Sequence, residues 1–181
     1  GKGRRVHHVL TCKSFEELNQ LTESFLKIGR VDYDGRPIFG MSCSQVVETC
    51  KNVSKDAHIV PAHAWTPWFG VFGSKSGFNS LKEAYQEKHK EIFAIETGLS
   101  SDPEMNWRIS ELDNLSLVSN SDCHSYKAHR IGRECNAFSF DLETASYQKI
   151  FNAIKNKTKD FLYTVEVDPN YGIYHFDGHR D

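Results

Sequence analysis

The sequence has no long apolar run, no strong charge of either sign and no cysteine motif, and each absence excludes a class of protein. Its 181 residues carry a formal net charge of -2, which excludes a generally basic nucleic-acid coat but leaves room for a local basic patch. Without an apolar stretch of about 18 residues, we expect no membrane partner. The five cysteines form no C-x-x-C pair, which argues against a disulfide framework or a cysteine-rich zinc module.

The overall composition, 39% hydrophobic and 25% charged, is typical of one ordinary globular domain. We therefore expect residues 1–181 to form a single domain. The odd number of cysteines and the lack of a recognisable signal peptide predict a reducing, cytoplasmic location. Because the chain opens with Gly1 and not with Met, we expect it to be part of something longer.

The periodicity of the apolar residues alternates between short strands and capped helices. Predicted strands cover residues 4–11, 58–63, 92–96, 115–119, 136–141 and 161–167. Predicted helices follow caps at Ser14, Ser42, Ser80 and Asp102, and a further helix lies near residues 147–154. The first helix is expected to bury a stripe of Phe15, Leu18, Phe25 and Ile28. This alternation predicts a parallel α/β arrangement, and since a closed eight-fold barrel takes about 250 residues, either the sheet is open or part of a barrel is missing.

Ionisable side chains fall at the ends of the predicted strands. His63, Glu96, Asp122 and His124 end or follow three of them, and His7 lies within the first. The carboxyl ends of parallel strands share one rim, so these residues are expected to meet there. Imidazole and carboxylate together suit Zn, Mn or Mg ions, which acidify bound water and stabilise a phosphoryl transition state. All five are candidate metal ligands, and Asp122, His124 and Glu96 are also candidate catalytic residues.

Each of these residues also has a purely structural alternative. His7 or His58 alone would be a core histidine, Asp122 a turn cap, and Glu96 the partner of an arginine. Several such residues at strand ends favour a site, because a buried ionisable group is costly unless it is paired or metal-bound. We expect His8, His89 and His129 to lie at the surface.

An aromatic loop (residues 64–79) contains five aromatic residues and three glycines. Trp65 and Trp68 are candidates to stack on nucleobases, with Lys75 near a phosphate. Alternatively, the loop folds over its own aromatic side chains as a plug. The sequence leaves both interpretations open.

A pair of arginines, Arg130 and Arg133, follows the Asp122–His124 segment. Guanidinium groups bind phosphate through paired hydrogen bonds, which makes both residues candidate DNA contacts. The alternative is an ion pair with Glu134, a common surface arrangement of little energetic value.

Three segments resemble the PHP (polymerase and histidinol phosphatase) superfamily, and most of all its endonuclease Q-type DNA repair nucleases. They read PAHAWTPW at 61–68, ETGLSSDP at 96–103 and SNSDCHS at 119–125. Residues 130–134 and 168–180 also look like that branch.

The resemblance implies a distorted (β/α)7, TIM-like barrel, here incomplete at its N-terminus, with two or three divalent metal ions in the full-length family. His7, His63, Asp122 and His124 match the family's ligand motifs, and Glu96 is carried over with them. The implied activity is cleavage of DNA on the 5′ side of deaminated or abasic nucleotides, with the base flipped into a pocket beside the aromatic loop. The expected partner is damaged or single-stranded DNA.

The sequence departs from the family pattern at three places. An opening His-x-His motif should precede residue 1, a zinc-binding cysteine region should follow Asp181, and Cys123 stands where a smaller residue is expected. We therefore expect a partial domain. Two alternative functions stay open, a phosphoesterase acting on a small ester and a catalytically inactive nucleic-acid-binding fragment.

Overall fold

The structure, a computed structural model, describes residues 3–33 and 37–174. The strands are β1 (His8–Thr11), β2 (His58–Pro61), β3 (Ala94–Glu96), β4 (Ser116–Val118), β5 (Cys135–Phe138) and β6 (Phe161–Val165). The α-helices are α1 (Phe15–Leu26), α2 (Cys43–Val53), α3 (Leu81–Tyr85), α4 (Pro103–Asn106) and α5 (Tyr147–Asn156). Short 3-10 turns cover Gln86–Glu91, Ser110–Leu112, Leu142–Thr144 and Pro169–Tyr171.

The strands form three separate pairs, so the predicted single parallel sheet is wrong. β3 and β4 are parallel, whereas β1 is antiparallel to β2 and β5 is antiparallel to β6. Within residues 3–33 and 37–174 no closed sheet forms, and the architecture is a mixed α/β fold with small sheets rather than a confirmed (β/α)7 barrel. Short apolar runs specify burial but not strand direction, which is why the sequence pattern did not reveal the reversal of β1.

The helix starts are where the sequence places them, because capping depends on neighbouring residues alone. The Ser14 hydroxyl accepts a hydrogen bond from the backbone N–H of Glu17, and Ser42 forms a complete capping box with Gln45. Ser80, Asp102 and Ser146 accept equivalent bonds at the starts of α3, α4 and α5. These caps fix where each helix enters the core.

In residues 3–33 and 37–174 the core consists of two hydrophobic clusters. The larger lies between α1, α2, β2, α3 and β3 and includes Val47, Ile59 and Tyr85. The smaller joins β2, β3 and β4 to α5 through Val60, Ala94, Val118 and Ile154. No helix in the described parts of the chain has the length and apolar character needed to cross a membrane.

The predicted apolar stripe of α1 is only partly correct. Phe25 is buried together with Leu21, but Phe15 is 85% exposed, and Leu18 and Ile28 are also exposed. Leu18 lines an open cleft and Ile28 follows the end of α1, so the core covers neither of them.

Two histidines outside the candidate site, His8 and His58, pack against aromatic side chains. His58 is half-buried and stacks on Phe151 with ring centroids 4.5 Å apart, a packing role that matches its structural alternative. His8, expected at the surface, lies instead with Nε2 2.9 Å from the Tyr85 hydroxyl oxygen. Burial lowers the pKa of both imidazoles to about 4.

Candidate active site

Four of the predicted site residues line one cleft of about 1040 Å³: His7, His63, Glu96 and Asp122. His63 follows β2, Glu96 ends β3, and Asp122 follows β4. His7 joins them because β1 runs antiparallel to β2, with His8 opposite Pro61, so the beginning of β1 lies beside the end of β2. Strand ends therefore bring these side chains together, although through a different topology from the one predicted.

His7 and His63 form a close imidazole pair, with His7 Nδ1 3.2 Å from His63 Nε2. The His7 ring stacks on Phe69, with centroids 4.5 Å apart and planes 13° from parallel. The backbone N–H of His7 also donates to the carbonyl oxygen of Phe69 over 2.8 Å. Among the described residues, the buried Nδ1 of His63 has no hydrogen-bond partner. The pair is thus held in place while one ring nitrogen stays unused.

Glu96 holds two of the strand ends in position. Its Oε2 accepts a hydrogen bond from the backbone N–H of His63, and its Oε1 accepts one from Nδ2 of Asn120, each over 2.7 Å. The residue is 3% exposed. Burial raises the pKa of Glu96, while the two hydrogen bonds act in the opposite direction. This carboxyl group is a rigid link between the ends of β2 and β4.

The backbone is unusual where the site residues leave their strands. His63 has φ 32° and Asp122 has φ 43°, values in the left-handed region that side chains other than glycine seldom adopt. A Cβ atom on Gly98 would lie 2.7 Å from Cβ of His63, so only glycine fits beside it. Such strained positions concentrate at functional sites, where the surrounding structure maintains them.

His124 lies next to Asp122 but not in the lining of the cleft. Its Nδ1 is 3.0 Å from the Asp122 carbonyl oxygen and 3.7 Å from Oδ1 of the same residue. Both residues are exposed. The structure therefore places His124 at the outer edge of the candidate site.

The donor types around the cleft suit a divalent cation, since imidazole and carboxylate are ligands for Zn, Mn and Mg. The paired histidines and the unused buried nitrogen of His63 agree with that chemistry. However, no group of three or more His, Cys, Asp or Glu side chains in residues 3–33 and 37–174 is close enough to hold an ion. These residues fit part of a ligand set and do not amount to a complete one.

Sequence reasoning missed two asparagines that organise the site. Asn136 Nδ2 donates to the Ser119 carbonyl oxygen and to Oδ1 of Asn120, and its Oδ1 accepts from the Ser119 N–H. Asn120 in turn donates to Glu96. A neutral amide carries no charge that would mark it as a site residue, and the one available signal was the position of Asn120 directly after a buried strand.

The aromatic loop places its two candidate tryptophans differently. The Trp65 indole N–H donates to Oδ1 of the buried Asn106 over 2.7 Å, and its ring lies 4.8 Å from that of Phe72. Trp68 is 47% exposed, and Lys75 is exposed as well. Trp65 thus has the surroundings of a plug, while Trp68 and Lys75 remain open to a ligand.

The two arginines also differ. Arg133 donates from Nε to the Ser121 carbonyl oxygen over 2.8 Å, whereas Arg130 is exposed. Glu134, the expected ion-pair partner, is 2% exposed, and its Oε2 accepts from the Ser119 hydroxyl. Burial raises the pKa of Glu134.

Comparison with curated proteins finds relatives without an assigned activity. No protein-family model matches the chain. It is 32% identical over 160 residues to the uncharacterized protein MJ0043 of Methanocaldococcus jannaschii, covering 87% of this chain and 19% of that protein. It is 30% identical over 141 residues to the uncharacterized protein YqxK of Bacillus subtilis, covering 75% and 35%.

Comparison with solved structures is more informative. The lesion-specific endonuclease PfuEndoQ from Pyrococcus furiosus matches 93% of this chain with a TM-score of 0.80 and 30% identity. A second structure, endonuclease Q in complex with a 27-mer duplex substrate with an abasic lesion at the active site, matches 95% with a TM-score of 0.84 and 31% identity. This chain is closely similar to endonuclease Q.

The similarity confirms the resemblance predicted from the sequence motifs and is consistent with the PHP superfamily. The chain spans 40–42% of the length of these endonuclease Q chains. The last part of the predicted resemblance, from His175 to Arg180, lies outside the described residues.

Proposed function

We propose that this chain is the catalytic part of a metal-dependent DNA repair endonuclease that cuts a strand on the 5′ side of deaminated or abasic nucleotides. The observation that carries the proposal is the cleft: His7, His63, Glu96 and Asp122 line it together, in a fold closely similar to an endonuclease Q bound to abasic DNA. In this proposal residues 1–181 are a partial PHP-type hydrolase domain, acting in the cytoplasm on damaged or single-stranded DNA.

In the proposed mechanism, His7, His63, Asp122 and His124 would hold divalent Zn, Mn or Mg ions, with Glu96 as a further donor. When bound, such ions acidify a water molecule and neutralise charge on the phosphodiester. Glu96 keeps the backbone of His63 in its left-handed conformation, and Phe69 orients the His7 ring by stacking. These contacts pre-organise the donors before substrate arrives.

The side chains at the outer edge of the site are proposed to contact the DNA around the cleaved bond. His124 is proposed to take part in catalysis through the ion it would hold on Nε2, while its Nδ1 contacts the Asp122 carbonyl oxygen. Arg130 and Lys75 are exposed cations suited to flanking phosphates, and Trp68 presents an exposed ring for stacking. Arg133 supports the site from its hydrogen bond to Ser121 and adds positive charge.

The decisive experiment is a nicking assay on the purified chain with Mn²⁺ or Mg²⁺ and a duplex containing uracil or an abasic site. Asp122→Asn is the informative variant, because asparagine tolerates the left-handed backbone while losing the charge. We expect it to lower nicking by about a hundredfold or more with little change in Tm. Asp141→Asn, at an exposed aspartate, is the matched control. Full nicking by Asp122→Asn would refute the assigned role.

A second candidate function is DNA binding without cleavage. The observation that favours it is that no group of three metal-ligating side chains lies together in the described part of the chain. Elemental analysis separates the two candidates, since two or more tightly held transition-metal ions support the nuclease and none supports the binding fragment. Release of phosphate from a generic ester, with no nicking of DNA, would instead indicate a small-molecule phosphoesterase.

A further inference from the structure

The chain leaves β4 in a loop whose ends are pinned at the cleft, which we call the rim loop (residues 121–133). Arg133 closes its neck by donating from Nε to the Ser121 carbonyl oxygen and from Nη2 to that of Asp122, over 2.8 and 3.4 Å. A turn near the tip is closed by the Arg130 N–H, which donates to the Lys127 carbonyl oxygen over 2.8 Å. The loop is therefore a defined projection anchored beside Asp122.

The surface of the rim loop combines exposed cations with exposed apolar side chains. Tyr126 is 92% exposed and Ile131 is 57% exposed. Lys127, His129 and Arg130 are exposed around them. A single exposed apolar residue needs no explanation, but here an aromatic ring stands next to two cations at the edge of the candidate site.

We propose that the rim loop is a DNA-gripping element in which Tyr126 stacks on a base next to the lesion while Lys127 and Arg130 bind the flanking phosphates. An aromatic ring stacks on any base, since every base has a π-face, and phosphates attract Lys and Arg regardless of sequence. This inference rests on the proposed function and adds to it a contact residue, Tyr126, which the candidate set did not contain. Because Arg133 is hydrogen-bonded to the backbone at the neck of the loop, the proposed DNA contacts come from Tyr126, Lys127 and Arg130.

DNA fits this surface better than a protein partner does. Of the charged residues in the rim loop, Lys127, Arg130 and Arg133 are basic and Asp122 alone is acidic, in a chain whose net charge is -2. The rim loop is thus positively charged although the chain as a whole is negative, and the fold of the chain is closely similar to that of an endonuclease Q bound to duplex DNA. A polyanion whose bases are accessible at a lesion matches both the cations and the ring.

The test measures binding, separately from nicking, with the complete chain and a labelled duplex that carries an abasic site beside a 2-aminopurine. We expect Tyr126→Ala to weaken binding about tenfold and Tyr126→Phe to stay within about twofold, because phenylalanine retains the stacking face. The 2-aminopurine fluorescence should report reduced stacking only in the alanine variant. Tyr171→Ala, at another tyrosine that is 87% exposed, is the matched control and should bind like the parent chain.

The salt dependence of DNA binding distinguishes the contribution of the Tyr126 ring from that of the cations. Arg130→Gln should reduce the slope of log K against log salt by about one, whereas both Tyr126 variants should leave that slope unchanged. Equal slopes for Arg130→Gln and the parent chain would remove the phosphate contact from the proposal.

The outcomes distinguish this inference from the function on which it rests. If the parent chain binds the duplex and Tyr126→Ala binds equally well, the rim-loop proposal is wrong and the nuclease proposal is untouched. If Tyr126→Ala weakens binding but the parent chain never nicks, the nuclease proposal fails and the DNA grip stands. If the parent chain binds no DNA at all, both fall. A lower Tm for Tyr126→Ala than for Tyr171→Ala would assign the ring a structural role instead.

Discussion

The two loops that leave the cleft after β2 and β4 are built in opposite ways. In the aromatic loop, Val71, Phe72 and Ser76 are buried, and backbone hydrogen bonds such as Phe72 N–H to Ala64 oxygen tie the loop to itself. In the rim loop, residues 126–132 are all exposed. The aromatic loop is therefore part of the packed core, whereas the rim loop lies at the surface.

The anchoring groups differ as well. The aromatic loop is held mainly by peptide groups, which do not titrate. The base of the rim loop is held by side chains, namely Arg133 at the neck and the buried Glu134 that follows it. Aromatic content alone therefore does not distinguish a packed loop from an exposed one in this chain. Glycines whose Cβ would clash with neighbouring backbone lie in the packed aromatic loop. The clustered cations lie in the exposed rim loop.

The largest effect is expected from crowding the aromatic loop with Gly73→Ala. The new Cβ would clash with the backbone oxygen of Thr66 and lie 2.6 Å from that of Pro67, and neither atom can move aside cheaply. We expect the free energy of unfolding to fall by about 3 kcal/mol, measured by urea denaturation. Gly40→Ala is the control, because nothing lies within 4 Å of its added Cβ. Equal losses in both variants would mean that the loop is not packed as described.

A second comparison pairs the two tryptophans within the aromatic loop. Trp65→Ala removes a packed ring and leaves Oδ1 of the buried Asn106 without its donor, so we expect a loss of roughly 3 kcal/mol in unfolding free energy. Trp68→Ala should change stability by less than about 0.5 kcal/mol. If Trp68 stacks on bases, its variant should weaken DNA binding instead. Similar stability losses for both variants would erase the distinction between plug and ligand contact.

The parts of the fold that could be predicted are those set by local chemistry. Ser14 and Ser42 cap helices through residues three positions away, and the pattern is visible in sequence. Strand ends likewise predicted that His63, Glu96 and Asp122 would share a cleft, and the structure brings them there. Their catalytic and metal-binding roles remain predictions.

Other features depend on contacts between distant segments and could not be predicted. The direction of β1 is set by its pairing with β2, about fifty residues away, so the same apolar run is compatible with either direction. Trp65 and Trp68 are alike in sequence and differ because Asn106 and Phe72 lie near Trp65. The role of Asn120 could not be predicted because a neutral amide gives no electrostatic signal, although its bond to Glu96 links two strand ends.

The smallest effect expected is a pH dependence of stability at Glu166, which directly follows β6. Glu134 lies near Glu166, and burial raises the pKa of Glu166 to about 7 from its ordinary value of 4.5, with the Thr164 hydroxyl bond acting the other way. A raised folded-state pKa means that the folded chain holds the proton more tightly, so this contribution to stability is complete below about pH 4.5 and is lost as the pH rises through about 7.

Urea denaturation at pH 5 and pH 8 checks the Glu166 contribution. Glu166→Gln should lose less stability than the parent chain between the two pH values, while Glu143→Gln, at an exposed glutamate, should follow the parent chain. Gly73→Ala should be destabilised equally at both, because peptide groups hold the aromatic loop. Parallel profiles for Glu166→Gln and the parent chain would show that Glu166 is not the source of the pH dependence.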